Sequence, residues 1–206
     1  MRLTRRLRTA TVALALFALS ATPVAARTPV DPNTLNPAPP DFFNAQCESS
    51  GNGTICTLAF SDPDINGEPS GIVCGSTELL FSQTRSVVGK RFYDTDGNLR
   101  QRHFREAFTG TFTNPVTHNV AIWDQHDTVI HNLAVPGDVT TGTTKVSGQL
   151  SRVWLPGGGT ILSAAGVALI NESTGELIRS GGKHPFDDYF TGTNPDALAP
   201  LCDALA

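Results

Sequence analysis

From residue 54 onward, apolar and polar residues alternate in short runs separated by turn-forming residues, the pattern of strands with one face buried. TICTLAF (54–60), SGIVCG (70–75), TELLFSQ (77–83) and RSVVGKRFYD (85–94) lead to TDGN (95–98). Asp-Gly in that tetrad tolerates the positive backbone angles of a tight primed turn, so it predicts a hairpin. In LRQRHFREAFTGTF, Phe104, Phe108 and Phe112 are evenly spaced, and the run closes on Asn-Pro. Helical spacing would also bring the three together, but a segment rich in Thr and Gly is poor in helix formers and reads as a strand. NVAIWDQ, DTVIHNLAV, TTKVSGQLSRVWL, TILSAAGVALI and ELIRS follow, divided by VPGD, PGGG and NESTGE. Eight or nine hairpin-connected strands imply a mainly β, single antiparallel β-barrel, with a sandwich as the alternative. Only NPDALAPLCDALA reads as a short C-terminal helix, with Asn194 as cap and Leu198, Leu201 and Leu205 on one side.

The first 26 residues break this pattern. Arg2, Arg5, Arg6 and Arg8 precede an apolar run from Ala10 to Leu19 and the small residues Val24-Ala25-Ala26. That layout predicts a signal peptide (1–26), general secretion rather than twin-arginine export, and an extracellular product. Residues 27–41, with five prolines in RTPVDPNTLNPAPP, read as an extended flexible leader, and 42–206 as one domain. No later stretch has the ~20 apolar residues of a spanning helix, so no membrane association is expected after cleavage.

Cleavage also changes the charge. The full chain has 15 Lys and Arg against 19 Asp and Glu, and the leading segment holds four of the arginines. The remainder, 11 against 19, carries −8, which disfavours nucleic acid. The basic group Lys90, Arg91, Arg100, Arg102 and Arg105 reads as a solvated strand surface. Cys47, Cys56, Cys74 and Cys202 lack the close pairs of a zinc site and predict two disulfides. Three pairings are possible; the preferred one joins Cys47 to Cys56 across SSGNG and Cys74 to Cys202.

Three features carry candidate chemistry. His118, His126 and His131 lie near Asp124 and Asp127, but no regular local structure makes His126 and His131 a chelating pair. If the strand is continuous, Asp124 and His126 take one face and Trp123, Asp127 and His131 the other; a turn at 125–127 would instead set Trp123 against Val129 or Ile130. Packing is therefore the favoured reading, with no metal and no cofactor expected. The segment Lys183-His184-Pro185-Phe186-Asp187-Asp188-Tyr189 offers His184 with Asp187 or Asp188 as an acid/base pair, against the plainer reading of a polar crossing to the terminal helix. DTDGN (94–98) lacks the third ligand and distal glutamate of a calcium loop and reads as a turn.

GKRFYDTDGNLRQRHFREAFTGTFTNPVTHN, HNLAVPGDVTTGTTKVSGQLSRVWLPGGGTILSAAG, SGGKHPFDDYF and the closing LCDAL resemble a group of small exported proteins of actinobacterial type, over about residues 47–206. The resemblance implies a β-barrel-like fold and no known activity. The chain departs from that group's pattern at Thr117-His118-Asn119 and at Ala164-Ala165-Gly166.

The favoured functional expectation is a secreted barrel that binds a small apolar ligand or a surface partner, through a cavity lined by Phe104, Phe108, Phe112, Trp123, Val129 and Trp154. A secreted isomerase or hydrolase with a His/Asp site is the first alternative, and a solid structural module the second. The sequence leaves the oligomeric state open.

Overall fold

The computed structural model describes residues 27–206; the expected signal peptide lies outside them. Ten strands are followed by two short helices: β1 (Pro29–Val30), β2 (Gln46–Ser50), β3 (Gly53–Ser61), β4 (Ile65–Cys74), β5 (Thr77–Tyr93), β6 (Leu99–Thr113), β7 (Val120–Asn132), β8 (Thr143–Trp154), β9 (Thr160–Asn171), β10 (Leu177–Lys183), α1 (Pro185–Phe190) and α2 (Ala199–Leu205). All ten strands belong to one antiparallel sheet in the order β1-β2-β3-β5-β6-β7-β8-β9-β10. β3 and β4 lie end to end along one edge of β5, pairing with Ser86–Tyr93 and with Thr77–Gln83 respectively.

Two expected boundaries disappear. The expected segments 77–83 and 85–94 merge into the single strand β5, which ends at Tyr93, because Thr84 supplies no turn chemistry and instead pairs with Thr109, their hydroxyls 2.9 Å apart. The possible turn at 125–127 is also absent: β7 keeps an unbroken register with β6 from Val120 to Asn132. Gln-His-Asp has neither the Gly nor the Pro that would stop a strand there. The hairpin at 95–98 forms, but with Gly97 alone at positive φ (+80°) rather than the pair of a primed turn, and with the Asp94 carboxylate accepting from the Asp96 and Asn98 amides.

The expectation of a barrel is corrected: the sheet is not closed, and with a single sheet it is not a sandwich either. At one edge β4 contains Pro69 and two register irregularities, so it offers a poor ladder to a closing strand. Its Val73 amide donates to the Tyr189 hydroxyl of α1 at 3.0 Å, and Cys74 is bonded to Cys202 of α2. The C-terminal segment thus occupies the place where closure would occur. The other disulfide joins the cross-strand partners Cys47 and Cys56, so both preferred pairings are present.

The sheet curls enough that β4 and β9 contribute to one core. Ile72, Leu79, Phe112, Trp123, Val153 and Leu162 pack there against Leu198, Leu201 and Leu205. Each such side chain contributes about 1.5–3 kcal/mol on burial. The leucines confirm the apolar side predicted for the terminal helix, but Leu198 occupies the N-cap position without a capping side-chain hydrogen bond, while Asn194 braces the preceding turn by accepting from the Asp196 amide.

The proline-rich leader is not the extended, freely standing segment its composition suggests. β1 pairs with β2, Leu35 is buried, and the Asn36 amide and carbonyl bond to Gly97 and Leu99. Leu35 packs with Tyr93 and Leu99, and Phe43, just past the leader, packs with Leu58, Val87 and Phe104; that burial outweighs the leader's turn chemistry.

Candidate ligand-binding site

Strand parity places one residue in two from each strand on the concave face. On β7 these are Ala121, Trp123, Gln125, Asp127, Val129 and His131, paired with Phe112, Gly110, Phe108, Glu106, Phe104 and Arg102 of β6. Reading along that face from the helices toward the leader, the surface is first apolar, then ionic, then apolar again and finally basic.

At the helix end lies a cavity of about 490 Å³. Ile72, Phe81, Phe112 and Trp123 form one side, Val146, Leu150, Ala164 and Ala168 another, and Phe186 and Phe190 of α1 the cover. The Phe81 and Trp123 rings meet edge to face with centroids 5.4 Å apart, and Phe186 stacks on Phe112 at 5.9 Å. Polar groups are few: Ser70, Gln125, Ser151, His184 and Asp187. Trp123 Nε1 donates to Ser151 Oγ at 2.7 Å, which fixes the indole. A register shift between Asp124 and His126 opposes β8 to β7 with an extra residue, and both Leu150 and Ser151 reach the cavity there.

The aromatic expectations divide. Phe112 and Trp123 line the cavity, and Phe108 packs behind Trp123 with centroids 5.9 Å apart. Phe104 and Val129 do not reach it; they belong to a separate cluster with Phe43, Leu58 and Val87. Trp154 pairs with Ile122 on the opposite face, under the Arg152 guanidinium at 4.7 Å. The bulge that admits Ser151 leaves Trp154 in its convex parity.

Beside the cavity runs an ionic band. Arg85 bonds Asp62 at 2.7 Å and Glu106 at 2.9 Å, and Glu106 is the cross-strand partner of Asp127. Burial alone would lower the Arg85 pKa, but the hydrogen bonds and charges of Asp62 and Glu106 outweigh it and hold the guanidinium above its usual range. Asp127 is 8% exposed, and its Oδ1 is buried with no partner among the described residues. Burial, followed by the Glu106 charge, pushes its carboxyl above the usual aspartate range, against the Gln125 hydrogen bond and the Arg85 charge. Gln125 links band and cavity: it lines the latter, and its amide nitrogen lies 3.4 Å from Asp127 Oδ2.

The acid/base candidates are partly assembled. His184 Nδ1 is 3.5 Å from Asp187 Oδ2, and both residues line the cavity. His184 Nε2, however, sits 3.1 Å from the Gly181 carbonyl, so both ring nitrogens face protein oxygens and neither is directed at a ligand. Asp188 lines a neighbouring depression that His184 and Pro200 also border, but the carboxylate paired with His184 is that of Asp187. The segment from 185 to 190 is a helix rather than a loop crossing, begun by Pro185 at its first position.

The three histidines do not converge. His118 sits in the turn after β6 at φ +61°, His126 is on the convex face 3.8 Å from Asp124, and His131 is buried on the concave face. No group of three or more metal-ligating side chains occurs among the described residues. Asp124 is buried on the convex side because Arg152 bonds both its oxygens and Gln149 bonds Oδ1 at 2.7 Å.

Gln125, Ser151 and Phe81 escape the sequence reading. Gln125 was legible in principle, two residues from Trp123 on one strand, whereas Ser151 depends on a bulge and Phe81 on pairing with Phe112 across 31 residues. No family model, curated protein or solved structure matches the chain.

Proposed function

We propose that this chain is an exported protein that binds a small, mainly apolar molecule in the cavity between the sheet and α1. The observation that carries the proposal is the cavity itself: about 490 Å³, walled by aromatic and aliphatic side chains, with Gln125 and Ser151 as polar contacts. Small-molecule sites have this size and this ratio of apolar wall to placed polar groups. Export is supported by the character of the first 26 residues and by two disulfides, which persist in oxidising surroundings; among the described residues no helix is long and apolar enough to cross a membrane. The resemblance to small exported actinobacterial-type proteins belongs to the same proposal and adds no activity to it.

The test uses the neutral fluorophore N-phenyl-1-naphthylamine and the oxidised protein. Wild type is expected to enhance its emission saturably, and Ala168→Trp, which fills the cavity, to weaken binding at least tenfold with unchanged circular dichroism. No saturable enhancement by wild type, or equal binding by the filled variant, overturns the proposal. The acid/base alternative rests on the His184–Asp187 approach, and the Gly181 carbonyl on the second nitrogen weighs against it.

A further inference from the structure

At the leader end of the concave face a single row crosses four strands: Arg91 of β5, Arg102 of β6, His131 of β7 and Thr144 of β8 are successive cross-strand partners. Arg91, His131 and Thr144 are 5%, 1% and 8% exposed. Two guanidinium-bearing residues therefore stand directly opposite each other on a covered face. Partners so placed have Cβ atoms about 5 Å apart, and like charges there repel.

Nothing in the row compensates them. No carboxylate lies within 4 Å of either arginine among the described residues, although Arg27, Arg85 and Arg152 each have one. Arg91 makes two long contacts, from Nη1 to the Ala38 carbonyl at 3.4 Å and the Tyr93 hydroxyl at 3.5 Å, and rests over the Phe43 ring at 5.5 Å. Its Nε is buried with no partner among the described residues. Arg102 spends Nε on His131 Nδ1 at 2.9 Å, while His131 Nε2 meets the Thr141 carbonyl at 2.8 Å. These partners select the tautomer protonated at Nε2, so His131 orients Arg102 without supplying negative charge. The terminal nitrogens of Arg102 and Nη2 of Arg91 have no hydrogen-bond partner among the described residues and are not sealed off. Burial, and after it the Arg91 charge, lowers the Arg102 pKa, with Glu172 opposing from beyond ion-pair distance.

Two like charges with no carboxylate partner are costly to hold on a covered face, and a guanidinium fork is shaped to grip a planar or tetrahedral oxyanion. We infer that Arg91 and Arg102 form a binding site for a small oxyanion, a carboxylate or a phosphate, held between the two guanidiniums against the leader. The site shares no residue with the apolar cavity and does not rest on its occupancy.

Inorganic phosphate and acetate, each titrated into the full oxidised protein against sodium chloride at matched ionic strength, test the inference by calorimetry and thermal melting. The expected result is saturable binding and a rise in melting temperature with at least one of them; phosphate alone assigns the phosphate source, acetate alone the carboxylate source. Arg102→Gln should weaken binding at least tenfold, and Arg152→Gln, on the convex face, should leave it within twofold of wild type. If Arg102→Gln does not fold, the wild-type Arg91 and Arg102 side-chain nitrogen resonances give the same answer by shifting saturably with the oxyanion and not with chloride. Equal response to chloride and both oxyanions, undiminished binding by Arg102→Gln, or side-chain resonances that do not move overturns the inference.

Discussion

At the helix end of the concave face, Leu198, Leu201 and Leu205 press on Phe112, Trp123 and Val153, and the cover is tied to β4 by Cys74–Cys202. At the leader end, Leu35 and Phe43 cover Tyr93, Leu99 and Phe104, but the same covered face holds Arg91, Arg102 and His131. Both ends use the same strands and the same parity. Alternation thus decides which side chains turn inward, while the covering element decides what environment they meet. A helix with three leucines makes one end apolar; a leader with few large side chains leaves polar groups room at the other.

The largest way to break this contrast is to remove the disulfide at each end, Cys74–Cys202 between β4 and α2 and Cys47–Cys56 between β2 and β3. The chain-entropy model gives ~5 kcal/mol for a disulfide closing a loop as long as Cys74–Cys202, with sequence separation 128, and ~2.5 kcal/mol for Cys47–Cys56, with separation 9. Paired Cys→Ser replacement is therefore expected to cost roughly twice as much at positions 74 and 202 as at 47 and 56, measured by urea unfolding. Equal losses would mean that the helix end does not depend on its tether.

Leu201→Ala, at a fully buried position, should cost about 3 kcal/mol, because a large-to-small change loses transfer energy and leaves a void. A loss under 1 kcal/mol would show that α2 is not essential to the core.

Between the two ends, Asp127→Asn sharpens the role of the ionic band. A carboxyl whose folded pKa is raised keeps its proton in the folded state to a higher pH than in the unfolded one. Its contribution to stability is fully present below the ordinary aspartate pKa and is lost as pH rises through the raised one. The Asn variant lacks that loss, so its stability relative to wild type should grow across that window and level off above it. Urea midpoints from pH 3 to pH 8 check the sign; an advantage that shrinks with rising pH contradicts it.

The smallest effect is expected off this face altogether. Trp154→Ala removes a stack under Arg152 and should cost about 1 kcal/mol while leaving naphthylamine binding unchanged. Impaired binding would place Trp154 in the cavity after all.

Most strands from residue 53 onward were legible because they carry their own alternation and stop signals, whereas β1 and β2 were not read and two expected boundaries merged into β5 and β7. Phe112 and Trp123 in the cavity, the helix face of Leu198, Leu201 and Leu205, and the disulfide pairing followed from local pattern and simple preference. The rest of the site was not legible, because it depends on register between distant strands. A bulge opposite Gln125 turns Ser151 inward, and the opposition of residues 91 and 102 converts an apparently solvated basic run into a covered cationic pair.

The sequence by itself determined a mainly β, two-disulfide domain with a short apolar helix at its end, since periodicity, turn chemistry and cysteine count act over a few residues at a time. Tertiary structure alone decided that the sheet stays open, that the proline-rich leader packs upon it, and that acids and arginines share its concave face. Those outcomes are set by which segment covers which surface, a competition for burial between residues far apart in the chain.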